Sequence, residues 1–304
     1  LKIDLFFAVN QIFAPWMPCR VSALVQNLFY YHYREFSSSY PAGSYAMREL
    51  RYRLYAGLGG ICNRRASHVV AVSECTKNAV IEHDGIASGQ VPVVPLALSA
   101  THVPEAGSDE TDRVRDRIGR AFLLYVGALA PYKNLDRVLV ALARREMRQR
   151  ELALVCIGFD QWGYGGRLRE LANELGIGDD VYFLKAVPHD ELGAWYAAAE
   201  ALVLLSGCEA FPLTLFEAMA RGTPVIASNL SSVPEIVGDA GLIVDPQDER
   251  EVAGAIERVC EDRGHREELA HAGRARVQRF DWADTASKLV RLWRKEISSD
   301  DKSA

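Results

Sequence analysis

The chain alternates short continuous apolar runs with segments whose apolar residues recur at helical spacing. Continuous apolar runs of this kind are typical of parallel strands that are covered on both faces. They predict strands over residues 3–9, 20–25, 69–72, 91–94, 122–126, 152–157, 181–184, 201–205, 224–227 and 242–244. The alternation of strand and helix therefore predicts an α/β protein built from doubly wound parallel sheets.

Helical periodicity is clearest after Asn134, where Leu135, Val138, Leu139 and Leu142 follow the i, i+3, i+4, i+7 pattern. Asn134 is predicted to cap this helix. Further helices are predicted over residues 48–65, 166–175, 190–198, 215–221, 249–262 and 282–297. Residues 104–117 are polar and acidic, with a proline and a glycine near their start, so this segment is predicted to link two domains.

The predicted linker divides the chain into three parts. An N-terminal domain is predicted over residues 1–116, and it is expected to lack a first portion because the sequence opens directly on a strand. A C-terminal domain is predicted over residues 117–278, followed by a helix over residues 279–304 that crosses back towards the N-terminal domain. Two such sheets facing each other would bind a ligand in the cleft at the carboxyl ends of their strands.

Composition agrees with two globular domains, because the 304 residues are 49% hydrophobic and 25% charged. No apolar run approaches the ~18 residues that a membrane-spanning helix needs. The net charge of −5 hides an asymmetry, since residues 1–65 hold eight Lys and Arg against three Asp and Glu. No domain is strongly basic and no zinc-finger or basic-zipper spacing occurs, so a nucleic acid partner is not expected.

The N-terminal excess of positive charge lies mostly in one predicted helix. Its arginines are Arg48, Arg51, Arg53, Arg64 and Arg65, and they are interleaved with tyrosines. This pattern suits peripheral contact with an anionic membrane surface or with a lipid diphosphate, although a solvated helix face would show it too.

Several kinds of chemistry are excluded by what the sequence lacks. The six cysteines never form a C-x-x-C pair, which favours free thiols in a reducing cytoplasm. The seven histidines show no metal-ligand spacing and D-x-D does not occur, so neither a metal site nor a cofactor is expected. The absence of G-x-S-x-G, Walker and G-x-G-x-x-G motifs removes the hydrolase, NTPase and dinucleotide-enzyme interpretations.

Candidate chemistry is densest in residues 206–224, where a strand leads through a loop into a helix. The amides of Leu213 and Thr214 at the start of that helix can bind an anion such as a diphosphate. Glu209 and Glu217 bracket the turn, and because carboxylates repel phosphate but accept hydrogen bonds from hydroxyls, each suits a sugar diol. Surface carboxylates that cap a helix would give the same spacing, so the pair alone leaves both interpretations open.

The residues around the two glutamates resemble the signature of glycosyltransferase family 4, in which E-x7-E encloses Phe-Pro-Leu and the second glutamate begins the sequence E-A-M-A-x-G-T-P-V. Residues 124–135, LYVGALAPYKNL, resemble that family's phosphate-binding strand and loop. Weaker resemblances occur at residues 70–77, 158–163, 234–237 and 280–282. The family implies a GT-B architecture, two Rossmann-like doubly wound parallel-sheet domains facing a cleft, and hexose transfer from a nucleotide sugar with retention of configuration. In such an architecture residues 1–116 would form the acceptor domain and residues 117–278 the nucleotide-sugar-binding domain.

The resemblance implies roles for individual residues. Lys133 would contact the donor diphosphate and, with Glu209, which would hold hydroxyls of the transferred sugar, form the catalytic pair. Glu217 would accept both ribose hydroxyls. The other implied donor-binding residues are Phe211, Pro212, Leu213, Thr214, Gly127, Gly158, Ala186 and Val187. The last two would read the base, and Gly158 would let the ligand approach.

On the acceptor side the candidates are Gln26, Asn27, His32 and Ser73. Gln26-Asn27 stands where many relatives have His-Asp, which removes a titratable group near neutral pH. Ala128 stands where relatives have an arginine, so Lys133 would be the main phosphate cation. Ala210 stands where they have a glycine, and it would be strained if the position needs a positive φ.

We therefore expect a metal-independent, retaining hexosyltransferase of polysaccharide assembly, acting in the cytoplasm or at the inner face of the membrane. The leaving diphosphate would accept the acceptor proton. GDP-mannose is the first expectation for the donor, with UDP-hexoses and dTDP-deoxysugars open, and the acceptor is a glycan or a lipid-linked sugar. Two alternatives remain, a GT-B-shaped sugar-nucleotide epimerase and a non-catalytic partner that binds nucleotide sugar.

Overall fold

A computed structural model describes residues 3–36, 45–98, 104–160 and 163–298, without the side chains of residues 45–48, 145 and 146. The strands are β1 (Leu5–Ala8), β2 (Arg20–Val25), β3 (His68–Ala71), β4 (Phe122–Val126), β5 (Ala153–Ile157), β6 (Val181–Leu184), β7 (Ala201–Leu204), β8 (Val225–Ser228) and β9 (Leu242–Val244). The helices are α1 (Phe29–Phe36), α2 (Tyr45–Arg65), α3 (Glu74–Asp84), α4 (Ser108–Ile118), α5 (Leu135–Leu142), α6 (Arg145–Arg148), α7 (Tyr164–Glu174), α8 (Leu192–Ala198), α9 (Leu213–Arg221), α10 (Val233–Val237), α11 (Glu249–Glu261), α12 (Arg263–Val277) and α13 (Trp282–Ser298).

The chain forms two units. Unit 1 comprises Leu1–Ala97, Cys208–Phe211 and Phe280–Ala304, and unit 2 comprises Leu98–Gly207 and Pro212–Arg279. The predicted boundary at residue 116 therefore differs from the observed one near Ala97, because residues 108–118 form a helix that packs on α8 of unit 2 rather than a linker. The four residues 208–211 join unit 1, although the sequence places them in the C-terminal domain.

Unit 2 is built on a six-stranded sheet of order β6-β5-β4-β7-β8-β9, in which all pairs are parallel. Its central strands β4, β5 and β7 are almost wholly buried, as their continuous apolar sequences predict. The six predicted strands of this region are confirmed to within two residues at either end. All six end at the same edge of the sheet, so the loops that follow them share one side of unit 2.

Unit 1 has a parallel three-stranded sheet of order β1-β2-β3. Its core includes Ala23 and Val25 of β2 together with Val69 and Ala71 of β3. The predicted strand at 91–94 is wrong, since Val93 makes only an isolated bridge to Ala71, although Val91 is fully buried. Within the described residues, no helix combines the length and apolar character needed to cross a membrane.

Candidate functional site

Two connections of unit 2 leave the sheet where the strand order reverses. β4 and β7 are neighbours, but the chain continues from β4 outwards to β5 and from β7 outwards to β8 on the other side. Lys133 lies in the connection after β4, and Pro212 ends the connection after β7. In an open α/β sheet, the crevice at such a reversal is the usual place for a ligand.

Hydrogen bonds tie these two connections together. The Gly207 amide donates to the Tyr132 carbonyl at 2.7 Å, and Asn134 Nδ2 donates to the Leu205 carbonyl at 2.8 Å. Asn134 is the N-cap residue of α5, as predicted, but it has a left-handed backbone with φ 54° and its side chain makes no capping hydrogen bond. Instead, Asn134 fixes the loop that carries Lys133 against the exit from β7.

Lys133 is half-buried, and its Nζ lies 4.9 Å from the centroid of the Tyr132 ring. A cation over an aromatic face is attracted to it, so the ring orients the ammonium without neutralising its charge. Because the neighbouring carbonyl of Tyr132 is bonded to Gly207, the position of the lysine is set by the main chain.

The first turn of α9 has the features of an anion site. Its N-cap residue is Pro212, which has no side-chain acceptor, and the first turn contains no acidic residue. Leu213 and Thr214 are half-buried in this turn, where the positive end of the helix dipole favours a negative charge. The structure thus places the four predicted residues 211–214 in sequence around the helix start, with Pro212, Leu213 and Thr214 in unit 2.

Glu217 lies one turn further along α9 and is only 6% exposed. The Tyr196 hydroxyl of α8 donates to Glu217 Oε2 at 2.6 Å. Burial and then the adjacent Glu217 raise the pKa of Tyr196 well above its ordinary value, so the phenol remains a donor. Thr223 Oγ1 in turn donates to the Tyr196 carbonyl at 2.7 Å.

Tyr196 is a site residue that the sequence did not identify. Its apolar surroundings indicate a core position, and nothing in the linear sequence pairs it with a glutamate 21 residues away. The available signal was that a buried tyrosine hydroxyl needs a hydrogen-bond partner.

Gly158 has a structural reason of its own. A Cβ atom there would lie 1.8 Å from the Gly127 carbonyl oxygen, so only glycine allows the connections after β4 and β5 to meet. The Gly127 amide donates to the Ile157 carbonyl at 2.9 Å. Contact between the two loops therefore requires a glycine at this position.

The proposed base-reading residues lie after β6, which is an edge strand. Ala186 is exposed and Val187 is half-buried. Their carboxyl-edge position matches that of the other predicted donor residues of unit 2. Gln161 and Trp162, which belong to the segment 158–163 of the family resemblance, lie outside the described residues.

Glu209 belongs to unit 1, in a short segment fixed by the residues around it. Ser73 Oγ donates to the Ala210 carbonyl at 2.8 Å, and the Phe211 ring meets that of Phe280 edge-on at 6.0 Å. Glu209 itself is half-buried. Among the described residues, Ala210 is not one of the non-glycine positions with positive φ, so the anticipated backbone strain is absent.

The acceptor-side candidates lie at the ends of neighbouring strands of unit 1. Ser73 is fully buried and caps α3 by accepting from the Thr76 amide at 3.1 Å, so its hydroxyl has a structural role. Asn27 Oδ1 accepts from the Phe29 amide at the start of α1, and exposed Gln26 donates to the Val9 carbonyl. His32 lies on α1, 2.8 Å from Glu35 Oε1.

Other reactive groups do not converge. Within the described ranges, no group of three or more His, Cys, Asp and Glu side chains is arranged to hold a metal ion. None of the six cysteines, all of which lie in the described ranges, forms a disulfide, and burial raises the pKa of the Cys260 thiol to about 11.

Comparison with known proteins places these features in a family. The profile of the glycosyl transferases group 1 family matches residues 109–276. The chain is 28% identical to the O-antigen chain mannosyltransferase B of Escherichia coli, over 75% of this chain and 61% of that protein. It is 32% identical to the MMP alpha-(1->4)-mannosyltransferase of Mycolicibacterium hassiacum, over 77% of this chain and 56% of that protein. The chain thus spans somewhat more than half the length of these relatives.

Solved structures agree on the fold. Sucrose-phosphate synthase from Thermosynechococcus elongatus superposes with a TM-score of 0.78 at 24% identity, covering 97% of this chain and 74% of that one. Anabaena HepE in complex with UDP-glucose gives a TM-score of 0.74 at 20% identity, covering 91% and 72%. The two units, each a parallel sheet with alternating helices, are the Rossmann-like domains of a GT-B fold. Since the family profile matches more than half of the residues, this chain belongs to the glycosyl transferases group 1 family.

Proposed function

We propose that this protein transfers a hexose from a nucleoside diphosphate sugar to a hydroxyl of a glycan or lipid-linked acceptor. The observation that carries the proposal is the pair of bonded connections at the strand reversal of unit 2. One connection carries Lys133 and is held to the other by hydrogen bonds from Gly207 and Asn134. The other leads into α9, whose first turn has neither a side-chain cap nor an acidic residue. A diphosphate needs such a set of donors and positive charge.

In this proposal the amides of Leu213 and Thr214 and the Lys133 ammonium stabilise the charge that grows on the leaving diphosphate. Glu217, held by Tyr196, accepts hydrogen bonds from the ribose hydroxyls. Glu209 holds hydroxyls of the transferred sugar. The acceptor hydroxyl attacks from the face on which the diphosphate leaves and gives its proton to the leaving phosphate oxygen, so the anomeric configuration is retained. Lys133 and the start of α9 serve in place of a metal ion.

Turnover tests this proposal directly. Transfer or slow hydrolysis of a nucleotide sugar is expected, with the product anomer assigned by NMR at the first time points and with EDTA leaving the rate unchanged. An inverted product would contradict retention, and a loss of activity in EDTA would contradict metal independence.

For the donor we propose GDP-mannose. Two relatives carry mannosyltransferase names, which supports mannose, whereas the HepE complex holds UDP-glucose and keeps UDP-hexoses in the comparison. A thermal-shift series with GDP, UDP, dTDP and ADP distinguishes the bases, because a ligand that binds only the folded state raises Tm with its concentration. A larger shift with UDP than with GDP would overturn the GDP assignment.

We also propose that α2 contacts an anionic membrane at the cytoplasmic face, where polysaccharide acceptors are assembled. Leu50, Leu54 and Leu58 are each about half exposed on this helix, close in sequence to Arg51 and Arg53. Such a combination suits an interfacial helix. Sedimentation with vesicles containing anionic lipid, but not with neutral vesicles, is the expected outcome, and equal binding to both would count against it.

One observation favours a second candidate, a non-catalytic nucleotide-sugar-binding partner. Ala128 contributes no charge to the phosphate loop, and its carbonyl accepts from the Tyr125 hydroxyl at 2.7 Å. Saturable binding of a nucleotide sugar without transfer to any acceptor would support this candidate. Epimerase activity would appear as a new sugar nucleotide formed from the donor alone, and Gln26-Asn27 offers no titratable pair for it.

A further inference from the structure

Unit 1 contains a groove of about 560 Å³ between α1, α2 and the end of α3. None of the predicted catalytic, donor-binding or acceptor-side residues lines it. The groove lies at the carboxyl end of α3, where His83 and Asp84 contribute to its wall. Ser73, at the other end of this 11-residue helix, bonds to the Ala210 carbonyl. With a rise of ~1.5 Å per residue, the two ends of α3 are about 16 Å apart, so the groove is separate from the Glu209 segment.

Hydrogen bonds and a ring stack hold the floor of the groove together. Asp84 is 5% exposed, and its Oδ2 accepts from the Tyr31 hydroxyl at 2.7 Å and from Asn63 Nδ2 at 2.8 Å. The Tyr31 and His83 rings stack with centroids 5.1 Å apart. Burial, and then Asp84, raise the pKa of Tyr31, so its hydroxyl remains protonated and keeps this hydrogen bond.

Three guanidinium groups line the groove: those of Arg34, Arg53 and Arg64. The Arg53 side chain is 57% exposed and lies 3.9 Å from Glu49, while Arg64 Nη1 donates to the Asp84 carbonyl at 3.3 Å. Two carboxylates also line the groove. Asp84 is already bonded to Tyr31 and Asn63, and Glu35 lies 2.8 Å from His32 Nδ1. Guanidinium groups recognise carboxylate and phosphate oxygens through paired hydrogen bonds.

The remaining wall suits a ring. Tyr30 and Tyr31, both half-buried, present aromatic surface, and two glycines of α2 carry no side chain into the groove. A Cβ atom on Gly57 would meet nothing within 4 Å, so the space beside it is open. Aromatic walls with a few charged groups are typical of sites that bind a small polar ring.

We propose that this groove binds an anionic sugar, a pyranose ring that carries a carboxylate or a phosphate, and that it holds a part of the acceptor remote from the hydroxyl that is glycosylated. The arginines bind the anionic group, and the tyrosine rings contact the face of the sugar. The acceptor assignment rests on the proposed transferase function, whereas the binding of an anionic sugar does not.

Calorimetry on the full chain tests the site with glucuronate and glucose 6-phosphate, and with methyl glucoside and inorganic phosphate as the neutral and ring-free probes. The two anionic sugars are expected to bind at least tenfold more tightly than either control. Binding of methyl glucoside as tight as that of glucuronate, or of phosphate as tight as that of glucose 6-phosphate, would overturn the proposal, as would no binding of either anionic sugar.

Variants locate the site. Arg53→Gln is expected to weaken glucuronate binding about tenfold, whereas Arg51→Gln, the same charge change on the same helix but outside the groove, is expected to change it less than twofold. Gly57→Trp fills the open space and is expected to abolish binding, while Gly166→Trp, at an exposed position of α7, is the matched control. Equal effects of Arg51→Gln and Arg53→Gln, or unchanged binding in Gly57→Trp, would overturn the assignment to this groove.

Nucleotide binding and sugar transfer are measured separately on the same preparations. If anionic sugars bind in the groove but no donor is turned over, the proposed function fails while the groove stands. If a donor is turned over and the groove variants bind anionic sugars as the wild type does, only the groove assignment fails.

Discussion

Helices α3 and α9 both begin where the chain leaves a parallel strand, but their first turns are completed in different ways. In α3, Ser73 caps the turn and Glu74 stands in it. In α9, Pro212 supplies no side-chain acceptor and the first turn has no acid. The same backbone geometry is therefore internally satisfied in unit 1 and suited to an external anion in unit 2. A helix start is a candidate anion site when its first turn lacks both a side-chain cap and an acidic residue.

Replacement of the lysine beside α9 is the strongest test of this comparison. Lys133→Met is expected to lower kcat/KM for transfer by about 100-fold or more, because it removes a fixed positive charge from the developing anion. Lys77→Met in the first turn of α3 is the matched control and is expected to leave kcat/KM within about twofold. If Lys133→Met retained more than a third of the wild-type activity, the charge at α9 would not serve the reaction.

A carboxylate at the N-cap position would give α9 the side-chain cap that α3 already has. Pro212→Asp supplies a carboxylate that can accept from the first-turn amides, so it is expected to raise the Kd of a nucleoside diphosphate about 10- to 100-fold, as measured by calorimetry. Pro212→Ala separates the loss of the ring from the added charge. Undiminished nucleotide affinity in the aspartate variant would show that the diphosphate does not lie on this turn.

The hydrogen bond behind Glu217 gives a smaller effect. Tyr196→Phe removes a hydrogen bond to Glu217 that is worth about 1–1.5 kcal/mol. The KM for the nucleotide sugar is therefore expected to rise about 5- to 10-fold, while kcat changes less. Tyr164→Phe removes another buried phenol of unit 2, and a normal KM is expected in that variant. If kcat and KM responded alike in both tyrosine variants, Tyr196 would be structural only.

The smallest effect on binding is expected in unit 1. Ser73→Ala removes the cap of α3 and the bond to Ala210, so it is expected to lower the free energy of unfolding by about 1 kcal/mol. Nucleotide affinity is expected to stay within twofold of the wild-type value. Thermal melting and calorimetry on one preparation separate the two quantities, and a large loss of affinity would show that the capped helix also serves the ligand.

The sequence predicted the sheet of unit 2 well because central parallel strands must be apolar on both faces, and β4, β6 and β9 follow their predicted bounds without change. Polar helices were harder. The polar, acidic sequence at α4 predicts a linker, although the helix buries Thr111, Val114 and Ile118. No helix is predicted at α12, in which only Leu269 and Gly273 are buried. Weak amphipathic patterns carry little signal when a helix packs by a narrow face.

The candidate site divides along similar lines. The anion-binding character of residues 212–214 follows from local sequence, since it depends on a proline, a helix start and missing acids. The partnership of Tyr196 with Glu217 and the assignment of residues 208–211 to unit 1 depend on contacts between distant segments. The Val91–Val94 region shows the converse limit, because an apolar run can be buried without joining a sheet ladder.

The loops after β4, β5 and β7 are held to each other by main-chain hydrogen bonds from Gly127 to Ile157, from Leu129 to Phe159 and from Gly207 to Tyr132. Because these bonds do not involve the side chain of the half-buried Ala128, position 128 can vary without moving the loops that carry Lys133. A set of substitutions at this position would therefore explore new donor preferences on an unchanged scaffold.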